Sequence, residues 1–483
     1  MQGVDFMKEN IVRIKRIEIN NFKNIEHGSV SVEMAKKGGE ASILGLYGQN
    51  GSGKTALIEA LKLLRFILSG HPIPSYFADF VNINSEYAKL KYDLEINCES
   101  KNSIYKVYYE VKLRHELEGS DFNTAEKNFD ENKEKKYKAV VYDEVLSASC
   151  SCTNKTDGFR KTPIVDTRTS QNIISIPATK LELLIGNEEE VVTSLLLAKK
   201  YTYITSRSFI FSREFLEAVR QNCQEAYLNI LFESLVRFGN FKLFVFDTSD
   251  IGIITMDALP LAFSYKEKEN LSIGTLVLKL NEPMFIRNEE FELIKKLINC
   301  MNIVLQQLVP GLIIDVKDLG GEISSNGVSG RRMQLMSKKN GKEIPLRYES
   351  GGIKKIISIL QLLIAVYNNP SITLIVDELD SGVFEYLLGE ILRIIAEKGK
   401  GQLIFTSHNL RPLEVLDKNF IAFTTTNPKN RYIRLSNVKS SNNLRDFYYR
   451  DIVLGEQSES VYDMTNNSEI AMAFREAGIL SGS

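Results

Sequence analysis

The sequence has few cysteines, almost no net charge and no long apolar run. Only Cys150 and Cys152 of its five cysteines lie close together, without the CxxC pair or neighbouring histidine that a zinc site needs. The 60 basic and 61 acidic residues leave a formal charge of -1, which excludes a global basic surface for nucleic acid but leaves room for a local patch. No apolar run approaches the roughly 18 residues of a membrane span, and charges interrupt the N-terminal segment where a signal peptide is apolar. We therefore expect a cytoplasmic protein with buried or idle thiols and no membrane partner.

The length and composition indicate a soluble globular chain. With 483 residues, it is long enough for two to four domains, or for one large domain with insertions. Hydrophobic residues make up 43% and charged residues 25%, which is typical of globular proteins.

The two ends of the chain show the same alternation of strands and helices. Residues 11–32 predict two antiparallel strands, 41–47 a buried strand, and the residues after Lys54 an amphipathic helix. Near the C-terminus, a helix at 353–366 is followed by a buried strand, a second helix and a short strand that ends near His408. Because such alternation is typical of a parallel sheet, we expect both ends to share one sheet, with the middle of the chain inserted.

The middle of the chain has a different pattern. A period-two alternation predicts a three-stranded meander within 76–180, and the segment 181–238 is mostly helical in pattern. The stretch "FKLFVFDTSDIGIITM" predicts a strand and a turn, 289–309 a helix, and 312–316 and 333–336 two strands. The predicted domains are an N-terminal part at 1–75, a β-rich insert at 76–180, a mostly helical lobe at 181–325, a C-terminal part at 326–440 and a helical tail at 441–483.

A glycine-rich loop between the buried strand and the first helix predicts phosphate binding. "GQNGSGKT" matches G-x(4)-G-K-[ST] in the strand–loop–helix context that the mechanism requires. Its backbone N–H groups and the helix N-terminus attract phosphate, Lys54 reaches the β and γ phosphates, and Thr55 ligates Mg²⁺. The predicted nucleotide-binding residues of this loop are Gly48, Gln49, Asn50, Gly51, Ser52, Gly53, Lys54 and Thr55.

Three further features follow in the C-terminal part. The strand "TLIVDELD" delivers two carboxylates to the sheet edge where the loop presents its nucleotide; Asp377 is predicted to hold the Mg²⁺ shell and Glu378 to activate water. Ser350, Gly351 and Gly352 stand at a helix N-terminus, and their alternatives are a second phosphate site or a plain N-cap and turn. His408, at a strand tip, is predicted to donate a hydrogen bond beside the γ phosphate.

Along the chain, the glycine loop comes first, followed by the Ser350–Gly352 motif, the strand that ends in Asp377 and Glu378, and His408. This order resembles that of the ABC-type ATPase heads of the RecF, SMC and overcoming-lysogenization-defect (OLD) families. The opening "IKRIEINNFKNI" also looks like the start of that group. The resemblance covers residues 11–68 and 346–435. It implies an α/β P-loop NTPase with an ABC-type head, whose mixed sheet carries an antiparallel β-subdomain and a helical insert. It also implies ATP and Mg²⁺ as cofactors and association of two heads when ATP binds.

The sequence departs from the family pattern at several positions. The signature has Glu349 and Ile353 where many members have Leu and Gln, and Phe384 stands where transporters place an aspartate. The family pattern also includes a glutamine in a segment called the Q-loop. Gln171 is the best candidate for it in this sequence, but it is not among the predicted site residues.

These features lead to one function and two alternatives. The leading hypothesis is an ATP hydrolase that forms a homodimer or higher homo-oligomer through its heads and serves as sensor or scaffold for a separate effector, a nuclease or toxin, in phage defence. One alternative is a RecF-like repair factor that binds DNA through basic residues in "IVRIKR", "SGRRMQ" and "NNLRDFYYRD". A third interpretation is a nucleotide-gated structural protein with negligible turnover.

Overall fold

The computed structural model describes residues 10–34, 41–98, 102–117, 136–152, 158–168, 173–267, 270–435, 443–454 and 458–481. Gln171 lies outside these residues. The strands are β1 Ile11–Phe22, β2 Ile25–Ser31, β3 Glu33–Met34, β4 Ser42–Tyr47, β5 Ala88–Cys98, β6 Ser103–Leu117, β7 Tyr137–Cys152, β8 Phe159–Asp166, β9 Leu243–Phe246, β10 Ala258–Glu267, β11 Asn270–Lys279, β12 Met284–Arg287, β13 Leu312–Ile323, β14 Ser329–Lys339, β15 Lys342–Pro345, β16 Thr373–Val376, β17 Gln402–Thr406, β18 Ile421–Thr424 and β19 Tyr432–Ile433. The helices are α1 Lys54–Leu68, α2 Ala178–Ile185, α3 Glu189–Ile204, α4 Arg213–Asn222, α5 Ala226–Arg237, α6 Thr248–Thr255, α7 Asn288–Leu308, α8 Gly351–Asn368, α9 Glu385–Lys398, α10 Arg411–Val415, α11 Leu444–Leu454 and α12 Asn467–Leu480.

A mostly parallel sheet joins the two ends of the chain, as expected from the sequence. Its order is β19-β18-β4-β17-β16-β9, and β3 pairs with the first two residues of β4. The pairs β18–β4, β4–β17, β17–β16 and β16–β9 are all parallel. β9, which comes from the middle of the chain, was not expected in this sheet. Since β4, β16 and β17 run in the same direction, their C-terminal ends lie along one edge.

An antiparallel sheet covers the other face of α1. The predicted meander of β5, β6 and β7 is confirmed, and it lies within a six-stranded sheet of order β2-β1-β5-β6-β7-β8. The predicted boundary at residue 75 therefore falls between strands that pair with each other, because β1 pairs with β5. On α1, Leu57 and Leu61 belong to one buried cluster with Leu44 of the parallel sheet and Tyr92 of the antiparallel sheet. The Tyr92 hydroxyl also donates to Ala60 O at 2.6 Å. The helix that begins at the glycine loop is thus held between two sheets.

The segment 181–325 is helical at first and contains strands later. After α2 to α5, the stretch "FKLFVFDTSDIGIITM" contains its predicted strand, β9, but the predicted turn is wrong, because the residues after β9 form α6. The reason is a capping box: the Asp247 side chain accepts from Ser249 N, and the Asp250 side chain accepts from Asp247 N. Beyond α6, β10 pairs with β11, and the sheet β12-β14-β13 packs on α7.

α8 is the core helix of the C-terminal part. Its residues belong to two buried clusters. Leu362 lies in the cluster that includes residues of the parallel sheet, and Leu360 lies in the cluster that includes residues of α7. Among the described residues, it is the one helix that is long and apolar enough to cross a membrane, but 67% of that stretch is buried inside the protein. This burial explains its apolar composition by packing.

Candidate functional site

The glycine loop adopts a conformation that requires glycine. The loop connects the end of β4 to Lys54, the first residue of α1. Gly48, Gly51 and Gly53 have φ values of 149°, 75° and 98°, a region that residues with a Cβ rarely adopt. A Cβ on Gly48 would also lie 1.8 Å from Thr424 Oγ1. The loop can therefore turn its backbone N–H groups toward one point at the start of α1, as phosphate binding requires.

Lys54 is held on the inner side of this loop. Its Nζ donates to Gly48 O at 2.8 Å and to Gln49 O at 2.9 Å, and the residue is buried. Burial lowers the pKa of Lys54 to about 8, although the nearby carboxylates Asp377 and Glu378 act in the opposite direction. The ammonium group is thus positioned at the phosphate-binding turn, in an environment that favours the arrival of negative charge.

Asp377 has one carboxylate oxygen that is engaged and one that is not. The side chain is fully buried at the end of β16, where Thr406 Oγ1 donates to Asp377 Oδ1 at 2.5 Å. Asp377 Oδ2 is buried and has no hydrogen-bond partner among the described residues. A buried, unpartnered carboxylate oxygen is costly unless a cation or donor satisfies it. Together with the Thr55 hydroxyl on the same cavity, this oxygen fits a Mg²⁺ ion.

Glu378 is held in a strained turn directly after Asp377. Its φ is 48°, a left-handed value that typically costs a non-glycine residue about 1–3 kcal/mol. Glu378 N donates to Thr406 Oγ1 at 2.7 Å, and the Lys355 ammonium donates to Glu378 O. Burial lowers the pKa of Lys355 to about 8. These contacts stabilise the turn and direct the Glu378 side chain to the cavity.

His408 lies two residues beyond β17 and is positioned through its backbone. His408 N donates to Asp380 Oδ2 at 3.0 Å, and Asn409 N donates to the same oxygen at 2.9 Å. This carboxylate therefore connects the segment that carries Glu378 to the segment that carries His408.

One cavity of about 310 Å³ brings most of the predicted residues together. Its lining includes, from the prediction, Asn50, Gly51, Gly53, Lys54, Thr55, Asp377, Glu378 and His408. Gly48, Gln49 and Ser52 shape the loop instead; Ser52 is buried and its Oγ donates to Gln49 O at 2.6 Å. A second cavity of about 380 Å³ lies between β7 and α3, but no residue of the glycine loop lines it, so we place the candidate site at the first cavity.

Four further residues line the cavity that were not predicted from the sequence, namely Lys23, Asn24, Ala56 and Thr406. Lys23 occupies the tight turn between β1 and β2, with a φ of 53°, and its Nζ lies 4.0 Å from the centre of the Phe80 ring. Burial lowers the pKa of Lys23. The sequence feature that could have indicated Lys23 is its place as the basic residue of "NNFKNI", in the opening segment that resembles the family. The role of Thr406 depends on pairing between distant strands, for which the sequence has no signal.

The Ser350–Gly352 motif does not line this cavity. Ser350 is the N-cap of α8, and its Oγ accepts from Ile353 N at 3.3 Å. Gly351 is exposed, with nothing within 4 Å of the position that a Cβ would take. Gly352 packs against the loop after Glu378, so closely that a Cβ would lie 1.7 Å from Gly382 O. The plain N-cap interpretation therefore holds within one protomer, and the phosphate-binding role of the motif stays a prediction.

Comparison with known proteins identifies the family. Residues 43–414 match the family described as "AAA domain, putative AbiEii toxin, Type IV TA system". The chain belongs to this AAA family. Membership, together with the order of strands around the glycine loop, confirms the predicted ABC-type ATPase class and the α/β P-loop NTPase fold. No curated protein matches this AAA ATPase.

Several solved structures resemble this AAA ATPase distantly. The SMC head domain from Thermotoga maritima is 13% identical with a TM-score of 0.35, over 88% of this chain and 99% of that one. The Smc head from Pyrococcus furiosus, bound to the C-terminal domain of ScpA, is 14% identical with a TM-score of 0.38, over 88% and 97%. RecF, described as a recombination mediator protein in complex with ATPrS, is 12% identical with a TM-score of 0.34, over 83% and 94%. These TM-scores are too low to support an argument about function.

Proposed function

We propose that this AAA ATPase hydrolyses ATP to ADP and phosphate with Mg²⁺. The observation that supports this most directly is the buried, unpartnered Asp377 Oδ2 in the same cavity as Lys54 and Glu378. When bound, Mg²⁺ supplies positive charge to the β and γ phosphate oxygens. Asp377 and Thr55 would hold the ion, and Lys54 with the loop N–H groups would neutralise the phosphates. Glu378 orients the attacking water and accepts its proton, and His408 donates a hydrogen bond to the γ phosphate.

We further propose that two copies close head to head over ATP. Within one protomer, Ser350 and Gly351 lie outside the ATP cavity, and Gly351 is open to solvent at the start of an 18-residue helix. A helix N-terminus attracts phosphate, so a second copy that presents this motif to the γ phosphate would complete the site. Hydrolysis then removes the phosphate that holds the pair together, which makes association a switch.

For the biological role, we propose a cytoplasmic sensor or scaffold that acts with a separate nuclease or toxin in phage defence. The support is the family description, which names a toxin and a toxin–antitoxin system. The RecF-like alternative is less well supported, because the basic residues suggested for DNA have partners within the chain. Arg331 pairs with Asp318, Arg332 with Glu322 at 3.8 Å, and Arg445 with Glu414 at 2.7 Å.

The test of hydrolysis compares the wild type with two glutamate variants. Phosphate release should occur in the wild type and fall by two to four orders of magnitude in Glu378→Gln, because general bases typically contribute about 10²–10⁴-fold. Glu378→Gln should still bind ATP. Glu397→Gln, the same change at an exposed position on α9, is the matched control and should keep wild-type turnover. Absence of turnover in the wild type would contradict the proposal and favour the structural interpretation.

The dimer and the DNA alternative have separate tests. Light scattering of Glu378→Gln should give a dimer mass with ATP and Mg²⁺ and a monomer mass without nucleotide. DNA binding is measured by mobility shift at increasing salt, since phosphate contacts release counterions and make affinity fall steeply. A salt-dependent shift would support the RecF-like alternative, and no shift would reject it.

A further inference from the structure

The C-terminal helix α12 is exposed on all sides. None of its residues is buried. Even large apolar side chains are exposed, with Phe474 at 76% and Leu480 at 83%. Ile470, Ala473, Phe474 and Ala477 follow the i, i+3, i+4, i+7 spacing of an apolar helix face; we name these four residues the α12 stripe. An isolated helix of 14 residues is marginal in water, and such helices owe their stability to packing of an apolar face. The stripe therefore requires a partner surface.

The segment before α12 is fixed beside the glycine loop. Val461 is 1% exposed, and Ser460 O accepts from Thr426 N at 2.8 Å. Asp463 N donates to Gln49 Oε1 at 3.0 Å, which attaches the segment to the loop that binds phosphate. Since α12 begins four residues later, at Asn467, it projects from the rim of the ATP cavity.

A second exposed apolar surface flanks the signature motif. Tyr348, Phe384 and Tyr386 are 62%, 73% and 56% exposed; we name them the aromatic patch. Tyr348 precedes Ser350 by two residues, and Phe384 follows Gly382, which touches Gly352. One exposed apolar surface thus lies beside each half of the proposed ATP site, one at the glycine loop and one at the signature.

We propose that, in the ATP-bound pair, the α12 stripe of each copy packs on the aromatic patch of the other copy. The inference rests on the proposed head-to-head association, which places the glycine loop of one copy opposite the signature of the other. The same closure brings each stripe to a patch, so the interaction occurs twice in a symmetric pair. Exposed apolar surfaces of this kind mark interaction sites, and aromatic residues commonly dominate their binding energy.

The segment that carries α12 is acidic, and the aromatic patch has a cation beside it. Residues 458–480 contain four acidic residues and one basic residue, Arg475. Residues 339–349, which lead into the signature, contain three basic residues and two acidic residues, Glu343 and Glu349. Arg347 donates to Asn281 O at 3.0 Å and to the Tyr348 hydroxyl, and neither of these partners is a carboxylate. The acidic tail of one copy therefore suits Arg347, which lies beside Tyr348 in the aromatic patch of the other copy.

Cross-linking between two separately labelled copies tests the contact. One Glu378→Gln sample carries Phe474→Cys and the other Phe384→Cys, and a short bismaleimide is added to the mixture with or without ATP and Mg²⁺. We expect an adduct of dimer mass only in the mixture with ATP. Ile303→Cys on α7, at a side chain that is 72% exposed, replaces Phe384→Cys as the matched control. The Glu378→Gln protein without added cysteines gives the background from native thiols.

The outcomes separate the two proposals. If ATP produces a dimer by light scattering but the adduct is absent, or no stronger than with Ile303→Cys, the docking of α12 is wrong and the closed pair stands. If ATP produces no dimer at all, both proposals fail. As a second measurement, Phe474→Glu should weaken ATP-dependent association about tenfold or more, because loss of a buried aromatic anchor is usually costly. Ile303→Glu should leave association unchanged, and equal effects of the two changes would also overturn the docking.

Discussion

The contact between Gly352 and Gly382 gives a sharp test of how the signature helix is joined to the catalytic turn. A Cβ on Gly352 would lie 1.7 Å from Gly382 O and 2.6 Å from Gly382 C. Both obstructing atoms are backbone, so no side-chain rotation relieves the clash. In Gly352→Ala, either the start of α8 or the loop that follows Glu378 must move.

The expected cost follows from the geometry. Overpacking of this kind typically costs about 1–3 kcal/mol, and we expect the upper end because backbone must shift. Replacement of a helical glycine by alanine stabilises the folded state by at most about 1 kcal/mol through helix propensity. The net destabilisation is about 2 kcal/mol, which for a chain of this length lowers the melting midpoint by roughly 2 °C. We also expect the turnover number to fall, because movement of the loop that follows Glu378 shifts the Glu378 side chain.

Gly351→Ala is the matched control, since the added Cβ meets nothing within 4 Å. Its melting midpoint should equal or slightly exceed that of the wild type, measured by circular dichroism. Its ATP-dependent association should nevertheless weaken, because the proposed partner phosphate approaches this residue. If Gly352→Ala melts at the same temperature as Gly351→Ala and keeps wild-type turnover, the reasoning from the close contact is refuted.

Three further predictions concern the ATP cavity. ATP affinity, measured with a fluorescent analogue, should fall about tenfold from about pH 7 to about pH 9, because Lys54 has a pKa of about 8 and its protonated form attracts phosphate. Lys54→Arg should show no such dependence, and a flat wild-type curve would contradict the assignment. Thr406→Val should raise the Mg²⁺ concentration needed for half-maximal turnover about tenfold, through loss of the hydrogen bond to Asp377; an unchanged Mg²⁺ requirement would speak against that role. Lys355→Met should lower the turnover number without weakening ATP binding, since Lys355 contacts Glu378 O rather than the cavity, and the opposite pattern in a steady-state assay would argue otherwise.

Much of the candidate site was predictable because local sequence determines it. The glycine loop needs residues that tolerate positive φ between a strand and a helix, and "GQNGSGKT" meets that need within eight neighbouring positions. Asp377 and Glu378 follow a run of buried apolar residues, so their place at a strand end follows from the pattern. By contrast, α6 was not predicted, because the stretch "FKLFVFDTSDIGIITM" was interpreted as a strand and a turn. The capping box formed by Asp247 and Asp250 is the local feature that indicates the helix.

The sequence by itself determined the strand–loop–helix motif, the acidic strand end and the capped start of α8, because each depends on residues that are neighbours along the chain. Only the tertiary structure decided that Thr406 donates to Asp377, that Lys23 lines the candidate cavity and that Gly352 contacts Gly382. It also decided that β9 joins the parallel sheet and that β1 pairs with β5. The physical reason is that these contacts join segments brought together by sheet pairing and helix packing, and local periodicity contains no information about which distant segment becomes the neighbour.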